Sequence, residues 1–97
     1  MTEEISVVAK VAQAHIDLGL KMSCEKCPIA LALLDLFPKA TRIIVGVLWI
    51  TVDIDGGRIR SDTTRDAEEF IRKFDGGCKV QPSEFALTFK PVKYYMT

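Results

Sequence analysis

Hydrophobic positions recur with two different periods in the first part of the chain. Residues 5–11 are rich in valine and alternate loosely, which predicts a strand, although a helix continuing to Leu18 fits the same residues. Residues 13–18 predict a single short helical segment that ends at Gly19. The chain therefore begins either with a strand and a short helix or with one longer helix.

The next segment, residues 28–37, is apolar on nearly every side, with Asp35 as its one charge. Pro28 suits the first turn of a helix because its missing N–H would have no partner there, and Pro38 ends the helix. A helix without a polar face has to be covered on more than one side. This segment is therefore predicted to lie at the centre of the core.

The pattern changes to a strand period after residue 42. Residues 43–45 predict a short strand, Gly46 a bend or bulge, and residues 49–54 a second strand whose side chains alternate between two faces. The tripeptide Asp55-Gly56-Gly57 predicts a tight hairpin, since glycine tolerates the positive φ angles of such turns. Residues 58–61 are the expected return strand.

A helix and a strand follow the hairpin. Thr63 and Asp66 fit a capping pattern at a helix start, the apolar residues of 67–74 recur at helical spacing, and Gly76-Gly77 ends the helix. After Pro82 the chain alternates again. The residues expected to face the core there are Phe85, Leu87 and Phe89.

The elements together predict an α+β domain with a largely antiparallel sheet and two helices on one of its faces. Their order is approximately βαββαβ, which matches the ferredoxin-like plan. The length of 97 residues is that of one domain, so residues 1–97 are interpreted as a single unit, with flexible ends at 1–4 and 91–97.

Composition adds a prediction about partners. Hydrophobic residues make up 48% of a chain too short to bury them efficiently, which predicts a homodimer or another protein surface covering part of them. The 13 basic and 13 acidic side chains cancel, so no net field favours nucleic acid or an anionic membrane. The basic and aromatic residues near the C-terminus, Lys90, Lys93, Tyr94 and Tyr95, are interpreted as a solvated tail.

The short length of the apolar runs argues against a membrane-spanning segment. The longest apolar run, residues 43–50, is far shorter than the roughly 20 residues of a spanning helix. The acidic start Met1-Thr2-Glu3-Glu4 lacks the features of a secretory signal. A cytoplasmic location is therefore expected, and an odd number of cysteines argues against a disulfide framework there.

Candidate chemistry concentrates at Cys24 and Cys27, which are spaced as Cys-x-x-Cys before the apolar helix. With His15 and the distant Cys78 they would supply the four nitrogen and sulfur ligands that structural zinc requires. The candidate binding residues are His15, Cys24 and Cys27, and Cys78 joins them only if a metal is bound. We expect no cofactor, and zinc is the alternative that these residues suggest. The second close pair of a typical zinc pattern is missing.

Two other interpretations of the thiols remain open. A Cys-x-x-Cys at a helix start is also the dithiol arrangement of oxidoreductases, because the helix dipole stabilises a thiolate. Alternatively, Cys27 is a small buried residue and Cys24 an exposed loop residue. His15 is interpreted as a half-buried ring bonded to the backbone. No serine lies in a recognisable nucleophile motif, and we expect no catalytic residues and no enzyme activity.

The chain also resembles a group of small proteins. The residues are His15-Ile16-Asp17-x-Gly19, then Cys24-x-x-Cys27-Pro28-Ile29-Ala30-Leu31-Ala32-Leu33 and Phe37-Pro38, with Ala67-x-x-Phe70-Ile71-x-x-Phe74-Asp75-x-Gly77 and a final Phe-x-Leu-x-Phe. This layout is similar to that of small uncharacterised proteins of actinobacteria and their phages. The resemblance implies a phage-type accessory protein in the host cytoplasm.

These observations favour a non-enzymatic interaction module over an enzyme. The expected partner is a host protein or a second copy of the chain. A defence signal of the host, such as a small nucleotide, is a more specific candidate ligand. The alternative function is a structural zinc or thiol-redox protein that uses Cys24 and Cys27.

Overall fold

The computed structural model describes residues 4–92, which form five strands and three helices. The strands are β1 (Ile5–Val11), β2 (Arg42–Val45), β3 (Trp49–Ile54), β4 (Gly57–Asp62) and β5 (Ser83–Pro91), and the helices are α1 (Gln13–Leu18), α2 (Pro28–Leu36) and α3 (Arg65–Asp75). The strands form one antiparallel sheet in the order β1-β5-β4-β3-β2. The predicted α+β class is confirmed. The βαββαβ order is approximate, because α1 precedes α2 and three strands separate α2 from α3.

The first segment of the chain is a strand followed by a separate short helix. β1 pairs with β5 along its whole length, from Ile5 opposite Phe89 to Val11 opposite Ser83. Ala9 and Val11 are buried, which places one face of β1 on the core. The sheet therefore decides between the two interpretations of this segment, since β5 supplies a partner for every residue of β1.

Helix α2 contacts both β1 and β2, which are the two edges of the sheet. The sheet is therefore curled, and α2 lies between its two edges. This position covers α2 from more than one side, although Leu34 and Leu36 near its end stay 45% and 43% exposed. Its buried residues are Pro28, Ile29, Ala30, Ala32 and Leu33. Just after the helix, the Phe37 ring packs edge-on against Phe89, with 5.7 Å between ring centroids.

The predicted hairpin joins β3 to β4 through a turn with positive φ at Asp55 (55°) and Gly56 (74°). Two consecutive positive φ angles are the requirement of a type I′ turn. Beside the turn, the Arg58 guanidinium donates to both carboxylate oxygens of Asp53, at 2.5 and 3.0 Å. These hydrogen bonds lower the pKa of the Asp53 carboxyl below its usual range. The pair therefore holds the two strands together next to the turn.

Helix α3 starts one residue later than the sequence predicts. Thr64 is the N-cap, and its hydroxyl bonds to the carboxylate of Asp66, which also accepts from the Ala67 N–H. Thr63 instead donates its hydroxyl to the Gly46 carbonyl at 2.7 Å. The predicted capping role of Thr63 is therefore wrong, because this hydroxyl bonds the turn between β2 and β3.

The buried face of α3 packs against the start of β5. The Phe70 ring lies edge-on to Phe85, with 5.4 Å between centroids. The helix buries Ala67, Phe70, Ile71 and Phe74, and Gly77 follows it with φ of 83°. Phe85, Leu87 and Phe89 are all buried, which confirms the predicted inward face of the last strand.

The predicted flexible ends lie mostly outside the described residues, namely 1–3 and 93–97, including the Lys93-Tyr94-Tyr95 tail. Of the rest, Glu4 pairs with Lys90 at 3.3 Å, and the Val92 N–H donates to the Arg58 carbonyl at 2.9 Å. Among residues 4–92, none of the helices has the length and apolar character needed to cross a membrane.

Candidate functional site

Cys27 is the N-cap of α2 and is buried, with 4% of its surface exposed. Burial raises the pKa of its thiol, because a charged thiolate is poorly solvated there. The backbone N–H groups of Ala30 and Ile29 act in the opposite direction, and the carboxylate of Asp75 adds to the rise. The net direction favours the neutral thiol, so the helix start does not convert Cys27 into a thiolate at neutral pH.

Cys24 is exposed and belongs to the loop that leads into α2. Its carbonyl accepts the Val45 N–H of β2 at 2.7 Å, which joins the loop to the edge of the sheet. The neighbouring Glu25 pairs with Arg42 of the same strand at 3.1 Å. The two thiols of the Cys-x-x-Cys motif are therefore in opposite environments, with Cys24 in solvent and Cys27 in the core.

His15 links α1 to the backbone before it and to α2. Its Nδ1 accepts the Ala12 N–H at 2.9 Å, and its Nε2 lies 2.7 Å from the Asp35 carboxylate. Because Nδ1 accepts, the ring proton is on Nε2 and is donated to Asp35. The side chain is 16% exposed, so the interpretation of a half-buried ring bonded to the backbone is confirmed. Both ring nitrogens are engaged in hydrogen bonds.

Cys78 follows α3 and is exposed, and its N–H donates to the Lys73 carbonyl at 2.9 Å. Between residues 4 and 92, no three or more histidine, cysteine or acidic side chains are grouped so as to hold a metal ion. The structure therefore does not bring His15, Cys24, Cys27 and Cys78 together. Zinc binding by this chain stays a prediction that needs measurement.

The sequence did not single out the segment between α1 and the Cys-x-x-Cys motif. It presents three large apolar side chains to solvent: Leu18 is 73% exposed, Leu20 52% and Met22 80%. We call residues Leu18–Met22 the apolar segment. The signal in the sequence is the alternation of apolar residues with Gly19 and Lys21, in a stretch whose pattern predicts the end of a helix and a loop.

The backbone of the apolar segment is held at several points. Gly19 touches the Pro28 ring so closely that a Cβ at position 19 would lie 2.7 Å from the Pro28 Cδ. The Leu20 N–H donates to the Lys26 carbonyl at 2.8 Å, and the Met22 N–H donates to the Asp75 carboxylate at 2.9 Å. These contacts tie the segment to α2 and α3, so its exposed side chains sit on a fixed support.

Met22 also has an unusual backbone. Its φ is 60°, in the left-handed region that non-glycine residues adopt infrequently. Such a conformation costs about 1–3 kcal/mol and persists where surrounding contacts maintain it. Here the Asp75 carboxylate bonds the Met22 N–H. The strained residue is thus also the most exposed of the three apolar side chains.

A second exposed apolar stretch is the turn between β2 and β3. Val47 is 45% exposed, Leu48 67% and Trp49 48%. The Arg60 guanidinium carbon lies 4.9 Å from the centre of the Trp49 ring, a cation–π contact on the open face of the sheet. The Thr63 N–H donates to the Leu48 carbonyl at 3.1 Å, so this turn is also fixed to the body of the domain.

The described residues surround several shallow depressions. One of about 450 Å³ lies between α3 and the start of β5, above the rings of Phe70 and Phe85. Its rim carries both signs of charge, from Asp66, Glu69, Lys73, Lys79 and Glu84. A rim of mixed charge selects neither an anion nor a cation, so this depression does not identify a ligand.

Comparison of the chain with protein-family models, with curated proteins and with solved structures finds no match.

Proposed function

We propose that this chain is a non-enzymatic interaction module and that the apolar segment Leu18–Met22 is its contact surface for a protein partner. The observation that carries the proposal is that three exposed apolar side chains lie on a backbone fixed by Pro28, Lys26 and Asp75. Soluble domains expose single apolar residues routinely, but a group of them held on a rigid support is typical of a docking surface.

The physical reason is the entropy of association. A surface that is already ordered loses less conformational freedom when a partner binds, so more of the free energy of apolar burial appears as affinity. Met22 fits this role because its side chain is flexible and polarizable and adapts to irregular partner surfaces. The left-handed backbone at Met22 supports the same proposal, because strained residues concentrate at functional sites.

The partner class rests on the resemblance to small proteins of actinobacteria and their phages. We propose a phage-type accessory protein that acts in the host cytoplasm on a host protein, or on itself as a homodimer. A small nucleotide that serves as a defence signal is the more specific ligand that this origin suggests.

A photo-crosslinking experiment tests the contact surface. A photoreactive phenylalanine analogue at Met22 is expected to capture a discrete protein from actinobacterial lysate, and the added substitution Leu20→Asp is expected to abolish that capture. The matched control carries the analogue at Glu69, which is exposed on α3. Capture patterns that are the same at the two positions, or insensitive to Leu20→Asp, would contradict the proposal.

The alternative proposal is a zinc or thiol-redox protein built on Cys24 and Cys27. It is supported by the N-cap position of Cys27 and the exposure of Cys24. Elemental analysis of the purified protein, with thiol titration before and after mild oxidation, tests it directly. Stoichiometric zinc, or loss of two titratable thiols on oxidation without dimer formation, would favour this alternative over the interaction module.

A further inference from the structure

The open face of the sheet carries an exposed aromatic ring next to two cations. Trp49 of β3, Arg60 of β4 and Lys90 of β5 lie on three neighbouring strands, and all three residues are exposed. Arg60 is directly opposite Lys90 where β4 pairs with β5. The Arg60 guanidinium carbon is also 4.9 Å from the centre of the Trp49 ring. We call these three residues the sheet-face group.

The protein neutralises the two cations of this group only in part. Arg60 makes no ion pair with any residue of 4–92. Lys90 pairs with Glu4 at 3.3 Å, but the two side chains are 66% and 60% exposed, and a pair in solvent is weak. Like charges directly opposite each other on neighbouring strands are destabilising. An anion bound between Arg60 and Lys90 would remove that repulsion.

A depression of about 380 Å³ is lined by both cations and by the exposed Thr88. This volume falls in the range of small-molecule sites, about 300–1,000 Å³. Arginine binds phosphate oxygens through two parallel N–H groups, and lysine binds them as a point charge. Two such cations side by side therefore match two adjacent phosphate groups better than a single carboxylate.

Trp49 supplies a stacking surface beside this depression. The residue is 48% exposed, and Gly46, whose N–H donates to the Trp49 carbonyl at 3.0 Å, has no side chain to cover the ring from the β2 side. Nucleobases stack on exposed aromatic rings, and a purine offers the larger overlap. From β3 to β5 is two strand spacings, about 10 Å. One nucleotide spans that distance, with its base at one end and its phosphates at the other.

The charges around the sheet-face group limit the ligand to a single nucleotide. Asp62 follows Arg60 on the same face and is opposite Trp49, and on the other side of Arg60 lies Asp53, paired with Arg58. These carboxylates repel further phosphates in both directions along the strands. Among residues 4–92, Trp49 is also the one exposed aromatic residue. A single-stranded nucleic acid uses a series of rings and a continuous track of cations.

We propose that the sheet-face group binds a purine nucleotide with at least two phosphate groups. The base stacks on Trp49 and the phosphates lie between Arg60 and Lys90. A nucleotide is the ligand class already named in the proposed function, on which this assignment rests, but its site is separate from the apolar segment. The Met22 crosslinking result and nucleotide binding can therefore each fail while the other succeeds.

The fluorescence of Trp49 tests the proposal directly, because it is the single tryptophan of the chain. Titration with ADP or GDP is expected to quench this fluorescence to saturation as the base stacks on the ring. Adenosine and inorganic pyrophosphate should each bind at least about tenfold more weakly than ADP, because each provides only one half of the contacts. A short single-stranded oligonucleotide is the arm that tests for nucleic acid.

Three charge variants locate the phosphates. Arg60→Gln and Lys90→Gln are each expected to raise the Kd for ADP about tenfold by removing one charged contact. Lys10→Gln is the matched control, because Lys10 is on the same face but is opposite Glu84 and away from the ring. For Trp49→Leu, calorimetry replaces fluorescence, and ADP is expected to bind no more tightly than pyrophosphate.

Each outcome supports the site or overturns it. Saturable ADP or GDP binding that Arg60→Gln and Lys90→Gln weaken, and Lys10→Gln does not, supports it. The proposal is overturned by no binding at millimolar nucleotide in fluorescence and calorimetry, by equal effects of the three variants, or by pyrophosphate binding as tightly as ADP. Tighter binding of the oligonucleotide than of ADP overturns it in favour of a nucleic-acid surface.

Discussion

The contact between Gly19 and Pro28 gives a sharp test of how the apolar segment is held. An alanine at position 19 would place its Cβ 2.7 Å from the Pro28 Cδ, 2.8 Å from the Cγ and 2.9 Å from the His15 carbonyl oxygen. Pro28 is itself fully buried at the start of α2, so its ring has no free space to move into. The loop or the helix would have to shift to accept a single methyl group.

The magnitude follows from two opposing effects. Forcing an extra methyl group into a filled site costs about 1–3 kcal/mol. Alanine also restricts the unfolded chain, which returns about 0.4–1 kcal/mol because φ of −67° at position 19 is allowed for alanine. We expect Gly19→Ala to lower the free energy of unfolding by about 1–2 kcal/mol. In a domain of this size, each kcal/mol lowers Tm by about 4–8 °C.

Urea unfolding of wild type and variant measures the effect. Gly57→Ala is the matched control, since its φ is not positive and the nearest atom to an added Cβ is 3.9 Å away. Its free energy of unfolding is expected to stay within about 0.5 kcal/mol of wild type. If Gly19→Ala is as stable as Gly57→Ala, the close packing of Gly19 on Pro28 does not hold the segment as described.

Three further predictions concern the core, the thiols and the acid range. Leu33→Ala is expected to lower the free energy of unfolding in urea by about 2–5 kcal/mol because Leu33 is fully buried. Leu36→Ala is the control, and at a 43% exposed position it should change that free energy by well under 1 kcal/mol. Similar losses for the two variants would contradict the central place of α2. In the folded protein, a thiol reagent at neutral pH should modify the exposed Cys24 quickly and Cys27 only as the chain unfolds, since burial raises the pKa of the Cys27 thiol; equal rates would refute this. The lowered pKa of Asp53 means that its pair with arginine contributes stability above the usual carboxyl pKa and loses it as the pH falls below that value. Asp53→Asn should therefore lower the free energy of unfolding by about 0.5–1 kcal/mol at pH 7, and the variant should lose less stability than wild type on acidification. An unchanged pH dependence would show that the pair contributes nothing.

The candidate site shows where reasoning from local sequence stops. The Cys-x-x-Cys spacing and Pro28 place Cys27 correctly at the start of α2, because capping depends on neighbours within one turn. Whether Cys78 or His15 joins the two thiols depends on the route of the chain over tens of residues. The structure leaves Cys78 exposed after α3 and uses His15 to bond Ala12 and Asp35.

Local signals in the sequence are enough to predict the α+β class and most of its strands and helices. The periods of 2 and 3.6 residues, the glycine turn after Asp55 and the proline at the start of α2 are local signals, because each depends on backbone geometry over a few residues. These signals located four strands and all three helices of residues 4–92 to within a residue or two, whereas residues 5–11 fitted either a strand or a helix.

The strand order and the position of α2 between the sheet edges come from tertiary packing. Tertiary packing also decided that Thr64, and not Thr63, caps α3, since Gly46 takes the Thr63 hydroxyl. The reason is physical: a hydrophobic pattern specifies which side of each element is buried, but many arrangements of the elements satisfy the same pattern. Packing of side chains that are distant in sequence selects one arrangement, and with it the surface that remains for partners.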